Sequence, residues 1–103
     1  MNYNAIILGT DHNSYSVARS FHEAFDKEPI VAGSAVLVPF YKSKICDIYT
    51  EKNFSTDDKI FVETLNKLVK SRDEEDFIFF APTEHYVDLL VRNAKHFDFS
   101  YHI

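Results

Sequence analysis

Gly9, Thr10, Asp11, His12 and Asn13 stand side by side and differ in what they offer a small ligand. Glycine lets backbone N–H groups approach closely, and threonine and asparagine both donate and accept hydrogen bonds. Aspartate and histidine can hold or move a proton. The run lies between an apolar stretch, Ala5 to Leu8, and a segment with helical spacing. That order places it where a strand's C-terminal end meets a helix N-terminus, a position at which α/β folds take up carboxylates and phosphates. Gly9 equally suits backbone geometry alone, and Asp11, Asn13 or Ser14 equally suits a helix cap.

A second group follows Pro82. Thr83, Glu84 and His85 again stand between an apolar run and a helical pattern. A carboxylate there can bond a substrate amine or hydroxyl, and His85 can transfer a proton. The plainer reading gives Glu84 to the helix dipole and His85 to the surface. The segment Phe40-Tyr41-Lys42-Ser43-Lys44 joins aromatic rings to basic groups that can meet an acidic ligand. Lysines on an edge segment also block unwanted sheet pairing. Arg19 lies nearly two turns into the first helix, able to reach back toward the loop or to stay on the helix surface.

Other chemistry finds little support. His12 and His85 have no metal-ligand spacing, and His22, His96 and His102 share none either. We expect no metal site and no catalytic residue in this chain. Cys46 has no nucleophile motif around it and reads as a buried strand residue. Neither GxGxxG nor GxxxxGK[ST] occurs, so ATP binding by this chain alone is not expected.

The elements that must position these residues follow from periodicity. Ala5 to Leu8 suits an interior strand. Asn13 to Lys27 has helical spacing, with Val17, Phe21 and Phe25 on one face beside Ala18 and Ala24, and Glu28-Pro29 ends it. Pro29 to Ala32 makes a second strand ending near Gly33. Residues 35–40 are ambiguous between strand, short helix and loop, with Pro39 against a central strand. Cys46 to Tyr49 reads as a third strand. Ser55 caps the next helix with Asp58 at the capping-box position, and Ile60, Phe61, Leu65, Leu68 and Val69 form its stripe. Arg72 to Asp76 reads as a solvated connection. Phe77 to Ala81 is a strand, and Thr83 caps a last helix with Val87, Leu90, Val91, Ala94 and Phe97 inward. Ser100 to Ile103 starts a further strand or a linker. Strands alternating with one-faced helices predict a small three-layer, Rossmann-like α/β domain, with a mostly parallel four-stranded sheet in the order 3-2-1-4.

At 103 residues the chain suits one domain, residues 1–103. Sixteen aromatic residues, ten Phe and six Tyr, supply a core, whereas two Gly and three Pro leave few tight turns. A net charge of −5 argues against a nucleic-acid backbone binder. One cysteine allows no internal disulfide. There is no signal-peptide pattern and no apolar run long enough to span a membrane, so the expected location is cytoplasmic.

The pattern IILGTDHNSYSVARSF over residues 6–21 resembles the N-terminal domain of ATP-grasp carboxylate–amine ligases, in particular the D-aspartate-ligase-like group. Val17-Ala18-Arg19, Ser43-Lys44 before Cys46-Asp47-Ile48-Tyr49, and Phe79-Phe80-Ala81-Pro82-Thr83-Glu84 extend the likeness over nearly the whole chain. The resemblance implies an intact ligase that uses ATP and magnesium to activate a carboxylate as an acyl phosphate, which an amine then attacks. ATP and magnesium would be held by downstream ATP-grasp domains, and this chain would be a fragment of that longer protein. It would form a noncatalytic wall of the substrate region, inactive alone, and the intact parent could be a homodimer. Gly9, Thr10, Asp11, Asn13, Arg19, Ser43, Lys44, Thr83 and Glu84 are the substrate-binding candidates by that pattern, for a small carboxylate or amino acid. The chain departs from the pattern at Thr10-Asp11-His12, where relatives often have a smaller or more glycine-rich turn, and at Glu84-His85. The alternative is a small α/β scaffold or ligand-binding module without enzymatic activity. A receiver version of it would need a paired acidic cluster after the first strand, and Asp11 stands alone there.

Overall fold

A computed structural model describes residues 3–10, 12–35, 45–72, 74 and 76–103. Among the described residues five strands and three helices follow in the order β1 (Tyr3–Leu8), α1 (His12–Phe25), β2 (Ile30–Gly33), β3 (Asp47–Thr50), α2 (Asp58–Lys70), β4 (Asp76–Phe80), α3 (Glu84–Asn93) and β5 (Tyr101–His102). One 3-10 turn, Ala94–His96, follows α3. The sheet runs β3-β2-β1-β4-β5, and every pairing is parallel. The expected order 3-2-1-4 is therefore present. The expectation of four strands is corrected to five, because Tyr101 and His102 pair with Phe77 and Ile78.

Strand alternation sorts the side chains into two layers. Ile6, Leu8, Ile30, Ala32, Phe77 and Phe79 face α2 and α3, where they meet Phe61, Leu65, Tyr86, Leu89 and Leu90. Ile7 and Val31 face the other way, toward Ala18 of α1 and Cys46. The central strand is apolar on both faces, as a parallel sheet requires, and Ala5 to Leu8 are fully buried. Phe54, in the turn before α2, is fully buried against Phe61 and Tyr86.

Several helix details differ from the periodic reading. Asp57, not Ser55, caps α2: its carboxylate accepts from the backbone N–H groups of Lys59 and Ile60 at 3.0 and 3.3 Å. Thr83 holds the cap position of α3, but its side chain makes no capping bond. The buried face of α3 is Tyr86, Leu89, Leu90 and Asn93, leaving Val87 and Val91 exposed. The α3 stripe is thus turned by one residue. Asn93 takes a buried place because its amide donates to Asp58 at 3.0 Å and to the Leu89 carbonyl at 2.9 Å. On α1, Phe21 and Ala18 are buried, whereas Phe25 is half-exposed.

Arg72 and Glu74 of the acidic connection are less solvated than expected. Arg72 donates to Asp47 at 2.6 Å and to Glu74 at 3.1 Å. Buried Asn4 donates to Glu74 and to the Glu28 carbonyl, so β1, β3 and β4 are laced together at their N-terminal edge. Desolvation pulls the Arg72 guanidinium down, yet the bonds to Asp47 and Glu74 outweigh it and leave the group above its ordinary range. Asp76 opens β4 rather than ending the connection.

Candidate strand-end site

Parallel strands bring the loops after β1, β2, β3 and β4 to one edge of the sheet. The direction in which strands are added to the sheet reverses between β1 and β4: α1 leads to β2 on one side, and α3 leads to β5 on the other. Such a switch point leaves a crevice outside the strand ends. Gly9 lies at that point with φ +108°, a backbone conformation few side chains tolerate. Its N–H donates to the Ala32 carbonyl at 2.7 Å. A Cβ added there would sit 2.8 Å from Ser14 Oγ and 3.3 Å from the Tyr86 ring. Gly9 is therefore wedged between the first turns of α1 and α3. Ser14, fully buried, donates to the Leu8 carbonyl at 3.2 Å and ties α1 to the strand end.

Hydrogen bonds join the successive loops. The Thr10 hydroxyl donates to the Ala35 carbonyl, linking the loops after β1 and β2. Gly33 makes room for this, since a Cβ on it would fall 2.7 Å from Thr10 Cγ2. Ser34 and Ser55 share a hydrogen bond of 2.9 Å between hydroxyls, and the Ser55 N–H donates to Ser34 Oγ at 3.1 Å, linking the loops after β2 and β3. His85 Nε2 donates to the Ser55 carbonyl, linking the loops after β3 and β4. A carbonyl only accepts, so Nε2 carries the proton, and in the neutral ring Nδ1 is an acceptor.

The residues expected from sequence are distributed unequally around this edge. Gly9, Thr10 and Asn13 lie at the β1–α1 junction, and Asn13 is exposed in the first turn of α1. Thr83 and Glu84 lie at the β4–α3 junction, with Glu84 exposed. Arg19 is elsewhere: its guanidinium pairs with Glu23 one turn on, at 3.2 Å, on the open side of α1. Asp11, Ser43 and Lys44 lie outside the described residues, as does the side chain of His12. The pairing of Ser34 with Ser55 was not expected. Its signal was topological, because both serines follow the ends of adjacent parallel strands. Three helix N-termini, the hydroxyls of Thr10, Ser34, Ser55 and Thr83 and one imidazole thus share an edge that can orient a small anion or amino acid by hydrogen bonding.

No protein-family description matches the chain. Among characterised proteins it is similar to the D-aspartate ligase of Enterococcus faecium (strain Aus0004), at 34% identity over 93 residues. The match takes in 87% of this chain and 22% of the ligase, so the chain spans about a fifth of the length of that relative. This is a distant relationship to a ligase, carried by nearly the whole of the present α/β domain.

Proposed function

We propose that this chain serves as the substrate-side domain of an ATP-dependent carboxylate–amine ligase. The observation that carries the proposal is the 34% identity with D-aspartate ligase across 93 residues. In this reading the parent activates a carboxylate as an acyl phosphate, and an amine displaces the phosphate. ATP and magnesium belong to ATP-grasp domains outside the matched segment, and no step of that chemistry falls to the residues described above. This domain's part is to bind and orient. The N-terminal turns of α1 and α3 take the carboxylate, Thr10, Asn13 and Thr83 fix its orientation, and Glu84 receives the amine. Asp11, Ser43 and Lys44 are further candidates by sequence alone, outside the described residues, while Arg19, paired with Glu23, steadies the helix behind.

The name of the relative suggests the first ligand to try. Titrating D-aspartate into the isotopically labelled chain is expected to shift the amide resonances of Gly9, Thr10, Asn13, Ser34, Ser55 and Thr83 saturably at millimolar concentration. The chain alone is expected to hydrolyse no ATP. If neither D-aspartate nor a panel of other small amino acids moves this edge, the substrate-side reading fails and the α/β scaffold takes its place.

A further inference from the structure

We infer that His85 is a specificity-determining residue of the strand-end edge, one that reads the ammonium group of a bound amino acid. The inference rests on the substrate-side reading above. It adds to that reading the group that tells an amino acid from a plain dicarboxylate. The imidazole is fixed from two sides. Nε2 donates to the Ser55 carbonyl, in the loop after β3. The ring also meets Tyr86 in a T-shaped contact, at 5.6 Å between centroids and 73° between planes. Tyr86 is itself buried and packed against Phe54 and Phe61. A half-turn of the imidazole would put Cε1 against the Ser55 carbonyl and lose the bond.

Polarity follows from that placement. With its proton on Nε2, the neutral ring keeps a lone pair on Nδ1 and accepts there. His85 is exposed, and Nδ1 has no hydrogen-bond partner among the described residues. Its neighbours on this edge lack a fixed acceptor. Backbone N–H groups at the helix starts only donate. The hydroxyls of Thr10, Ser34 and Ser55 rotate to suit, and the amide of Asn13 can present either end. Glu84 accepts, but it is exposed and no hydrogen bond holds its carboxylate among the described residues.

The two kinds of group select different parts of a ligand. N–H groups draw a carboxylate whether or not an amine is attached to the same molecule. A fixed acceptor favours the amine, because an ammonium has three donors and no acceptor. Its bond to Nδ1 is charge-assisted and therefore among the stronger hydrogen bonds. A carboxylate brought to the same place meets a lone pair and is turned away. Glu84 contributes attraction for the positive charge, and His85 contributes direction.

Titrations with D-aspartate and with succinate, the same dicarboxylate without the ammonium, test the inference at about pH 8, where an ordinary imidazole is neutral. The ratio of the two dissociation constants is expected to favour D-aspartate. His85→Leu is expected to reduce that ratio about tenfold, the worth of one hydrogen bond to a charged group. His85→Gln, whose amide offers both a donor and an acceptor, is expected to restore most of it. The ligands share two carboxylates, so a merely structural loss weakens both alike and leaves the ratio in place. His85 is exposed, so both variants are expected to fold, which circular dichroism checks. In the ligand-free chain the imidazole 15N shifts are expected to show a protonated Nε2 and a bare Nδ1. A proton on Nδ1, a ratio unchanged by His85→Leu, or a His85→Gln variant as impaired as His85→Leu would each overturn this inference and leave the substrate-side reading standing. If neither D-aspartate nor the amino-acid panel binds, both fall.

Discussion

Gly9 concentrates the geometry of the strand-end site in one residue. Its positive φ and the 2.8 Å approach to Ser14 Oγ leave a side chain neither a relaxed backbone nor free space. Gly9→Ala is expected to lower the unfolding free energy by about 1–3 kcal/mol, from backbone strain alone, and chemical denaturation measures it. An unchanged midpoint would show that α1 and α3 can part at no cost. Asp58 gives a second test. The Arg92 guanidinium donates two hydrogen bonds to its carboxylate, at 2.7 and 2.8 Å, and the Asn93 amide adds a third. These donors hold the carboxyl down at about 2. In the unfolded chain an aspartate titrates near ~3.9. A carboxyl depressed on folding contributes stability that is present above its unfolded pKa and is lost as pH falls through its folded one. The melting temperature of the parent is therefore expected to fall more steeply than that of Asp58→Asn between about pH 4 and pH 2. Parallel curves would remove the pair from the stability account. Because Asp58 and Arg92 are solvent-accessible, salt should reduce the difference.

Among the elements, strands were the most legible in the sequence. Ala5 to Leu8, Pro29 to Ala32 and Phe77 to Ala81 are short apolar runs with turn residues behind them, and each became a strand with small shifts of boundary. β5 was harder to read, since two residues carry no period and only their partners on β4 define them. Helix faces were legible in part. On α2 the stripe of Phe61, Leu65, Leu68 and Val69 is buried as expected, with Ile60 at its margin. On α3 a count of apolar residues favours Val87 and Val91, but Tyr86 and Asn93 won the buried places. Asn93 is polar and becomes compatible with burial only through Asp58, thirty-five positions earlier. The expected consequence is unequal cost. Leu89→Ala should destabilise by about 2–5 kcal/mol as a buried truncation, whereas Val91→Ala should stay within ±0.5 kcal/mol. Similar losses in urea melts would restore the valine face. The strand-end loops were legible in position, because topology alone gathers them. Their cross-loop bonds were not: Ser34, Ser55 and His85 meet by distances that no local pattern encodes.

In the molecule as a whole, the sheet orders the parts by stability. β1 has a strand on each side and helices over both faces, whereas β5 is two residues at an edge. Native-state hydrogen exchange is expected to find Ile6, Ile7 and Leu8 protected to the global unfolding free energy, and Tyr101 exchanging through local opening. Equal protection would mean that β5 is part of the cooperative core. No helix among the described residues is long and apolar enough to cross a membrane.

The pairing of Tyr3 with Asp76 and of Ile7 with Phe80 carries a consequence for biosynthesis. At about 5–20 residues per second, a ribosome needs roughly 4–15 seconds to travel from the codons of β1 to those of β4. Throughout that interval Ala5 to Leu8, fully buried in the folded protein, has one hydrogen-bonding edge with no partner yet made. The nascent chain is therefore most exposed to wrong β-pairing before β4 emerges, and a chaperone that shields short apolar strands would act on it during that window.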